Sequence, residues 1–445
     1  MSRYQRYPAY RDSGVEWIGE IPGHWECIKI KHLSQVQRGA SPRPIDDQKY
    51  FDDEGEYSWV RISDVTASNK YLECTEQRLS EIGKTLSIPL QPGQLFLSIA
   101  GSVGKPIITK INCCIHDGFV YFPYLKECTD FLYYIFLSGQ PFLGLGKMGT
   151  QLNLNTDTVG SISIPVPPLD EQQAIASFLD RKTAEIDELI TKKEELLKKL
   201  DEKRTALITR AVTNGLDPSA PMKESGLKWL GEIPTHWEVK KLKYVTDKVQ
   251  TGTTPQSNDD EYFLDTTIIW YTPSDFSDQS LMLTDSKRKL NKIAIENGIV
   301  KIIPAGSVLV IGIGATLGKV GLSINQCCCN QQINGISPNR LIDAKFLLYS
   351  LLIKQEIMKL ISNATTLGIM NQEKTKSIQL CIPPLEEQQV IAEQIEKKTA
   401  IIDRQKAQVT EAIERLNEYR SALITDAVTG KMNVHSHQPR EILSA

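Results

Sequence analysis

The sequence predicts a mixed α/β protein built from two copies of one large unit, each a globular domain followed by a long helix. The 14-residue segment Ser13–Glu26 returns as Ser225–Glu238 with ten identical positions. Two shorter motifs also recur, Pro-Pro-Leu-[Asp/Glu]-Glu-Gln-Gln from Pro167 and Pro383, and Arg-x-Ala-Leu-Ile-Thr-x-Ala-Val-Thr from Arg204 and Arg420. Because the period is about 212 to 216 residues, each copy is long enough for a complete domain, unlike the short repeat of a solenoid.

The composition is that of an ordinary globular protein with room for two cores. The 445 residues are 41% hydrophobic and 24% charged, with a formal net charge of −3 and a pI near 6.2. This balance neither favours nor excludes nucleic acid, because basic residues can gather on one face while acidic residues elsewhere cancel the sum. No apolar run reaches membrane-spanning length, and Met1–Arg6 starts no signal peptide, so we expect a cytoplasmic protein without membrane contact.

The cysteines predict buried, reduced thiols. There are nine, an odd number, and the contiguous groups Cys113–Cys114 and Cys327–Cys329 occupy equivalent places in the two halves. The sequence contains no Cys-x-x-Cys pair of the kind that binds zinc, so we predict no metal site. We expect each group to lie on a buried strand, and a metal role is the alternative.

Each globular half shows short apolar runs separated by Gly, Pro and other turn residues, which indicates strands. The predicted strands are 57–62, 94–99, 118–122, 267–271 and 307–311, and the predicted helices are 131–138 and 344–361. Each half therefore predicts a mixed α/β domain.

A long helix follows each Pro-Pro pair, over about 169–213 and 385–429, where neither Pro nor Gly occurs. Gly215 and Gly430 stand where helix C-caps are expected. Apolar side chains recur every seven residues at Ile395, Ile402, Val409, Leu416 and Leu423. The counterpart series is Leu179, Ile186, Lys193, Leu200 and Leu207, with Ile175, Leu189 and Leu196 at a second seam position. We predict an antiparallel coiled coil; the alternative is that each helix packs on its own domain.

The predicted boundaries follow from these elements. They are a first domain at 1–166, a helix at 167–215, a second domain at 216–382, a second helix at 383–430 and a polar tail at 431–445.

A search for catalytic motifs predicts no catalytic residues. The loop Gly312–Lys319 looks like a phosphate loop, but Ile313 and Val320 stand where a Walker A motif needs Gly and Ser or Thr, and Gly101–Pro106 fails in the same way. The two loops could instead present Lys105 and Lys319 to DNA phosphates, or be plain β-turns. The segment Pro165–Pro168 lacks the Asn and the aromatic residue of an amino-methyltransferase loop, so methylation should come from a partner. We expect structural roles for the histidines and tryptophans of the repeated segments Ser13–Glu26 and Ser225–Glu238, which are His24, His236, Trp17, Trp25, Trp229 and Trp237.

The order of domain, helix, domain and helix resembles the specificity subunits of type I restriction–modification systems. The motifs quoted above carry the resemblance over nearly the whole chain, together with Arg38–Pro42 beside Thr251–Pro255 and Trp59–Asp64 beside Trp270–Asp275. It implies a subunit without chemistry of its own, in which each target-recognition domain binds one half of a bipartite double-stranded DNA sequence and the helices set the gap. Two methyltransferase subunits would dock and modify adenine, and a motor and nuclease subunit would join. S-adenosylmethionine, ATP and Mg²⁺ would belong to those partners, and this chain would hold no cofactor.

Under this resemblance, polar loop residues at equivalent places in the two halves are the candidates for DNA contact, because such side chains read base edges. In the first half they are Arg38, Ser41, Arg43, Lys105, His116, Asp117, Gln151, Asn153 and Asn155. In the second half they are Thr251, Thr253, Thr254, Gln256, Lys319, Asn330, Gln331, Thr365, Thr366 and Asn371. The two sets differ at most positions, so we expect an asymmetric target.

The first turns of the helices are the candidates for partner docking, through Glu171, Gln172, Gln173, Glu387, Gln388 and Gln389. Acidic residues there could equally be ordinary first-turn residues favoured by the helix dipole. Two other functions stay open: a recognition subunit of a methylation-only or related phage-defence complex, and a coiled-coil scaffold that reads no DNA.

Overall fold

The computed structural model describes residues 5–145, 154–227, 230–256, 260–264, 266–277, 280–362 and 368–434. The chain forms two compact units. Unit 1 comprises residues up to Lys193 and from Glu411 onward, and unit 2 comprises Glu194–Thr410. The candidates Gln151, Asn153, Thr365 and Thr366 lie outside the described residues, as do Trp229 and the tail from residue 435.

Unit 1 contains two main sheets over its described residues. The five-stranded sheet has the order Gln37–Arg38, Phe119–Tyr121, Leu95–Ser98, Pro106–Thr109, Tyr71–Leu72. The four-stranded sheet has the order Gln77–Leu79, Tyr57–Val60, Cys113–Ile115, Ile88–Leu90. One pair in each sheet is parallel, and the other pairs are antiparallel. The predicted mixed α/β domain is confirmed.

The remaining elements of unit 1 are short. Strands Tyr10–Asp12 and Glu20–Pro22 pair with each other, as do Glu26–Lys29 and Ser163–Val166. The helices are Ile30–Leu33, Ile62–Ala67, Glu81–Thr85, Thr129–Leu137 and Thr156–Ser161, with 3-10 turns at Gln48–Tyr50 and Gln140–Phe142. Pairing of Ser163–Val166 with Glu26–Lys29 brings the Pro-Pro segment, and hence the start of the first long helix, beside Trp25.

Unit 2 repeats this plan. Its five-stranded sheet has the order Thr246–Thr251, Ile333–Pro338, Val308–Ile311, Val320–Ser323, Met282–Leu283, and a three-stranded sheet has the order Lys289–Leu290, Ile268–Tyr271, Cys328–Cys329. Two further pairs join Met222–Glu224 with Glu232–Pro234 and Glu238–Lys241 with Gln379–Ile382. The helices are Ile293–Glu296, Ala344–Leu352, Gln355–Ile361 and Gln372–Lys376, with 3-10 turns at Leu242–Tyr244, Asp260–Phe263 and Pro273–Asp275.

The predicted helix over 344–361 is wrong in one respect, because the chain forms two helices that end and begin around Ile353 and Lys354. No Pro or Gly marks this break in the sequence. The side chains of Lys354 and Met358 are both buried, at 3% and 0% exposure, so tertiary packing overrides local helix propensity here.

The predicted burial of the two contiguous cysteine groups on strands is confirmed, whereas Cys74 is exposed. Cys113–Ile115 and Cys328–Cys329 are buried strands, and in both units the neighbouring strand places a tryptophan opposite a cysteine, Trp59 beside Cys114 and Trp270 beside Cys328. All nine cysteines are free thiols. Among the described residues no group of three potential ligands could hold a metal ion, and no helix is long and apolar enough to cross a membrane.

The long helices span Leu169–Asn214 and Leu385–Val428. Gly215 and Gly430 have φ values of 78° and 71°, which confirms their predicted C-cap positions. These glycines let the chain leave the last helical turn in the left-handed conformation that other residues adopt only at a cost.

Each unit pairs parts of both long helices in antiparallel fashion. In unit 2, Arg204 pairs with Asp403 and Asp201 pairs with Lys406, so the residue number falls on one helix as it rises on the other. In unit 1, Asp187 pairs with Arg420, while Trp25 contacts both Glu171 at a helix start and Gly430 just past a helix end.

The helices also pack on the domains, which was the alternative. In unit 1 the residues Ile175, Leu179, Ile424 and Val428 share one core with Phe131 and neighbours on its helix. In unit 2 the residues Ile208, Val212, Ile391 and Ile395 share a core with Phe346. Burial of each such side chain contributes roughly 1.5–3 kcal/mol.

One seam assignment is wrong, because Leu189 and Leu196 are 48% and 43% exposed. The neighbouring residues Ile190 and Leu197 are partly buried instead. Together with Ile186, the partly buried Lys193 and Leu200 they follow the alternating four- and three-residue spacing of a helix seam.

Candidate nucleic-acid interface

Five of the predicted DNA-contact residues of the first half meet in unit 1. We call Arg38–Arg43 together with His116 and Asp117 loop cluster 1. The Ser41 hydroxyl donates to Asp117 Oδ1 at 3.0 Å, and Arg43 Nη2 donates to Asp117 Oδ2 at 3.2 Å. Arg38 Nε donates to the backbone carbonyl of Asp117. The turn after the Cys113–Ile115 strand therefore organises the polar loop that follows Arg38.

A glycine makes this approach possible in both units. The Gly39 N–H donates to Phe119 O at 2.9 Å, and an ideal Cβ at Gly39 would lie only 2.2 Å from His116 O. In unit 2 the Gly252 N–H donates to Ile333 O at 3.0 Å, and a Cβ would lie 2.1 Å from Cys329 O. Only glycine lets the two backbones come this close.

The environment of Asp117 favours the carboxylate. Partial burial opposes ionisation, but the hydrogen bond from Ser41 and the positive charge of Arg38 outweigh it and hold the pKa of Asp117 below its ordinary value. Burial lowers the pKa of the neighbouring His116, although the Asp117 carboxylate opposes this shift. Loop cluster 1 thus presents a fixed negative charge beside Arg43, whose side chain is 79% exposed.

The equivalent residues of the second half also meet. We call Thr251–Gln256 together with Asn330 and Gln331 loop cluster 2. Thr254 Oγ1 donates to Gln331 Oε1, which matches the contact between Ser41 and Asp117 in unit 1. Thr251 Oγ1 donates to Asn334 Oδ1 at 2.7 Å, and Thr253 Oγ1 donates to Ile299 O at 2.8 Å. Thr254, Gln256 and Gln331 are exposed, whereas Asn330 is buried.

The two clusters share a backbone arrangement and differ in charge. Arg38, Arg43 and Asp117 carry charges in loop cluster 1, while Thr251, Gln256 and Gln331 are their neutral counterparts in loop cluster 2. One framework therefore supports two sets of hydrogen-bonding groups.

The structure gives Lys105 a role within its own unit. Its ammonium group donates to Thr66 O at 3.1 Å and to Ser68 O at 2.7 Å, and burial lowers its pKa. Lys319 is partly buried at the corresponding place. Both glycine-rich loops connect antiparallel strands, so they are hairpin turns, unlike a P-loop, which joins a strand to a helix.

Asn155 and Asn371 are helix N-caps. Asn155 Oδ1 accepts from Thr158 N at 2.8 Å, and Asn371 Oδ1 accepts from Lys374 N at 2.9 Å. The capping bonds give both residues the same structural role in the two units, through the oxygen of each side-chain amide.

The two repeated Trp segments contact the first turns of the long helices through the same types of side chain. In unit 1 the Glu171 carboxylate accepts from Trp25 Nε1 at 3.0 Å and from Tyr7 OH at 3.1 Å, and it lies 2.6 Å from His24 Nε2. In unit 2 the Glu387 carboxylate accepts from Trp237 Nε1 at 3.1 Å and lies 2.8 Å from His236 Nε2. Trp25 and Trp237 are fully buried.

Of the two glutamines that follow each glutamate, the first is buried and the second is exposed in both units. Gln172 and Gln388 are buried and donate to the carbonyls of Pro167 and Pro383, each at 2.9 Å. Glu171 and Glu387 are likewise engaged inside their units, so neither pair presents a free docking group. Only Gln173 and Gln389 among the six predicted docking residues are exposed.

Sequence reasoning named these residues singly and missed that they form one contact. The signal was available, because Glu171 and Glu387 follow a repeated His-Trp pair at similar separations, 147 and 151 positions after the histidine. It also missed that Asp64 and Asp275 accept from the N–H groups of Arg61 and Thr272, the residues just before a short helix and a 3-10 turn, at 2.7 Å each.

Comparison with known families gives a match over most of the chain. The family described as type I restriction modification DNA specificity domain matches residues 22–199 and again residues 234–415. The two matched regions correspond to the two repeats.

Relatives match over nearly their full length. The chain is 28% identical over 436 residues to the type I restriction enzyme MjaIX specificity subunit of Methanocaldococcus jannaschii, covering 94% of this chain and 95% of the relative. It is 23% identical to the putative MjaX specificity subunit of the same organism, covering 94% and 96% of the two chains. It is 22% identical to the EcoDI specificity subunit of Escherichia coli, covering 93% and 90%.

Solved structures show a similar fold. A chain from a study of complex assembly and conformational transition in the type I R-M system has a TM-score of 0.71 at 15% identity, covering 92% of this chain and 98% of that chain. The HsdS subunit from Thermoanaerobacter tengcongensis has a TM-score of 0.52 at 16% identity, covering 93% and 98%. The chain therefore belongs to the type I restriction-modification DNA specificity family, whose subunits recognise DNA without catalysing a reaction, and it carries two copies of the family's domain.

Proposed function

We propose that this chain reads a bipartite, asymmetric sequence in double-stranded DNA, with loop cluster 1 contributing to one half-site and loop cluster 2 to the other. The observation that carries the proposal is the duplication of one glycine-based loop arrangement with two different sets of polar side chains. Base edges are distinguished by the donors and acceptors presented to them. Two sets of different chemistry therefore favour two different half-sites.

The exposed groups of each cluster support this division. Arg43 presents a guanidinium group, one nitrogen of which donates to Asp117. The parallel N–H donors of a guanidinium group match the paired acceptors of a base edge or a phosphate. Loop cluster 2 presents the hydroxyl of Thr254 and the amides of Gln256 and Gln331, which can both donate and accept. The first half-site would contact charged side chains, and the second half-site would contact neutral hydroxyl and amide groups.

The long helices would set the unread gap between the half-sites and carry the docking surfaces for two methyltransferase subunits. A helix of 46 residues, Leu169–Asn214, provides a spacer of about 69 Å at 1.5 Å per residue. Gln173 and Gln389 remain candidates for docking because both side chains are exposed. A motor and nuclease subunit would complete the assembly, and S-adenosylmethionine, ATP and Mg²⁺ would be used by these partners.

Single-molecule sequencing of modified bases tests the proposal directly. Genomic DNA is compared between cells that carry this chain with its partners and cells from which only this chain is deleted. We expect a two-part adenine-methylated motif with a fixed gap that disappears on deletion. A methylation pattern that is identical in both strains would contradict the proposal, and the lack of sequence-dependent, salt-sensitive DNA binding by the purified complex would favour a scaffold.

A further inference from the structure

Each globular domain is attached to its long helix by polar contacts at two points. The first anchor is the carboxylate on the first turn, Glu171 in unit 1 and Glu387 in unit 2, with the buried tryptophan and the histidine described above. The second anchor lies nine residues further along each helix, at Asp180 and Glu396. Nine residues correspond to about 13 Å of helix, so the two anchors are well separated along the axis.

The second anchor is an ion pair in both units. In unit 1 the Lys70 ammonium group bridges Asp180 and Asp130, with Oδ1 of Asp130 at 2.6 Å, and Tyr134 OH donates to Asp180 Oδ1 at 2.6 Å. In unit 2 the Lys345 ammonium group lies 2.8 Å from Glu396 Oε1.

The lysines of the two second anchors come from different elements. Lys70 directly precedes the edge strand Tyr71–Leu72, whereas Lys345 lies on the helix Ala344–Leu352. The same helix position is thus tied to its domain in both units by unrelated parts of the fold.

Two separated anchors constrain an angle, whereas one anchor permits a pivot. The apolar side chains between the anchors, such as Ile175 and Leu179 in unit 1, hold the surfaces together through packing that has little directional preference. Hydrogen bonds and close ion pairs depend on both distance and direction. The polar anchors therefore select one orientation of the helix on a surface that packing alone leaves less defined.

We propose that Glu171 and Glu387 are positioning residues that fix the angle between each recognition domain and its helix, and thereby determine how strictly the gap between half-sites is read. This inference rests on the proposed function, because it assigns to the anchors the spacing part of DNA recognition. The base preference of each half-site would remain with the loop clusters.

The test compares the variant Glu171→Gln with the matched control Asp170→Asn. Both changes remove one negative charge from the same helical turn, but Asp170 is exposed, whereas Glu171 holds Trp25 and His24. The full chain is assembled with its methyltransferase partners and given duplexes in which the gap is the native length or differs by one base pair. The ratio of methylation rates on the native and altered gaps is measured below the unfolding temperature of both variants.

We expect the control to keep the gap ratio of the unaltered chain and Glu171→Gln to lower it about tenfold, equivalent to about 1.4 kcal/mol of discrimination. The bases preferred within each half-site should not change. An equal gap ratio in Glu171→Gln and Asp170→Asn would overturn the proposal, because a purely structural role predicts lower stability with unchanged spacing. Absence of any bipartite motif with the unaltered chain would contradict the proposed function instead.

A second pair of variants serves if Glu171→Gln does not fold. The His24 side chain is 47% exposed, so its replacement leaves no buried cavity. We expect His24→Ala to lower the gap ratio and His24→Gln, which keeps an N–H donor near Glu171, to restore it. Identical ratios for these two variants would equally overturn the proposal.

Discussion

At the residue scale, the glycine of each loop cluster decides whether the polar groups can meet. Replacing Gly39 by alanine should lower the free energy of unfolding by about 1–3 kcal/mol, because the new Cβ would lie 2.2 Å from His116 O and one backbone must move. Chemical denaturation measures the loss. The control is Gly23→Ala, since the nearest atom there is 3.8 Å away and the repeat already carries Thr235 at this position. Equal losses in the two variants would refute this explanation.

The buried thiols give a prediction on reactivity. Burial raises the pKa of Cys113 and Cys327 from 9.0 to about 11 and that of Cys114 and Cys328 to about 12. These thiols therefore stay protonated at pH 8, and the thiolate is the reactive form. Cys74 is exposed. Brief alkylation at pH 8 followed by mass spectrometry should label Cys74 first, and rapid labelling of Cys114 in the folded protein would contradict the prediction.

The same shifts predict how stability depends on pH. The folded-state pKa values lie above the unfolded value, so the stabilisation from neutral thiols is complete below about pH 9 and is lost as the pH rises towards 11 to 12. The denaturation midpoint, measured at a series of pH values from 8 to 11, should therefore decrease as the pH rises. Changing the exposed Cys74 to serine should leave the slope unaltered.

At the element scale, the helix pair of unit 2 is aligned by cross-helix ion pairs. Arg204 Nε lies 3.0 Å from Asp403 Oδ1, and the Arg204 side chain is only 25% exposed. Arg204→Asp should lower stability by about 1 kcal/mol, because like charges then face each other, and adding Asp403→Arg should restore most of it. Urea denaturation of the two single variants and the double variant measures this coupling.

The control for the charge swap is Arg404→Asp, which alters an exposed arginine next to Asp403. It should change stability far less than Arg204→Asp. A double variant no more stable than Arg204→Asp alone would show that the pair does not align the helices.

Local sequence signals predicted the helices better than the seam between them. The absence of Pro and Gly, the preceding Pro-Pro pair and the following glycine predicted both long helices to within two residues of their observed ends. The exposed Leu189 and Leu196 could not be predicted, because both fit a seven-residue repeat and only the partner surface decides between neighbouring positions. The break near Lys354 likewise depends on the burial of Lys354 and Met358, which only the folded chain reveals.

At the scale of the whole molecule, we propose that the helices set the gap in the target. Inserting four helical residues at equivalent places in both long helices would lengthen the spacer by about 6 Å. The preferred gap should then grow by one or two base pairs, since duplex DNA rises about 3.4 Å per base pair. Sequencing of methylated motifs reads the new gap. Four alanine substitutions at exposed positions near Lys198, without insertion, serve as the control, and an insertion variant that keeps the original gap would contradict this proposal.

The sequence by itself determined the duplication, the alternation of α/β domains with long helices, the buried cysteine strands and the family, because repeats, propensities and periodicities can be read along one dimension. Only the tertiary structure decided which polar side chains meet. Asp117 holds Arg43 across 74 positions of the chain, and Glu171 holds Trp25 across 146. The Lys105 ammonium group donates to the backbone carbonyls of Thr66 and Ser68, which are 37 to 39 positions away in the chain. Such contacts follow from the need of partly buried polar groups for partners, and the partners become neighbours only when the fold closes.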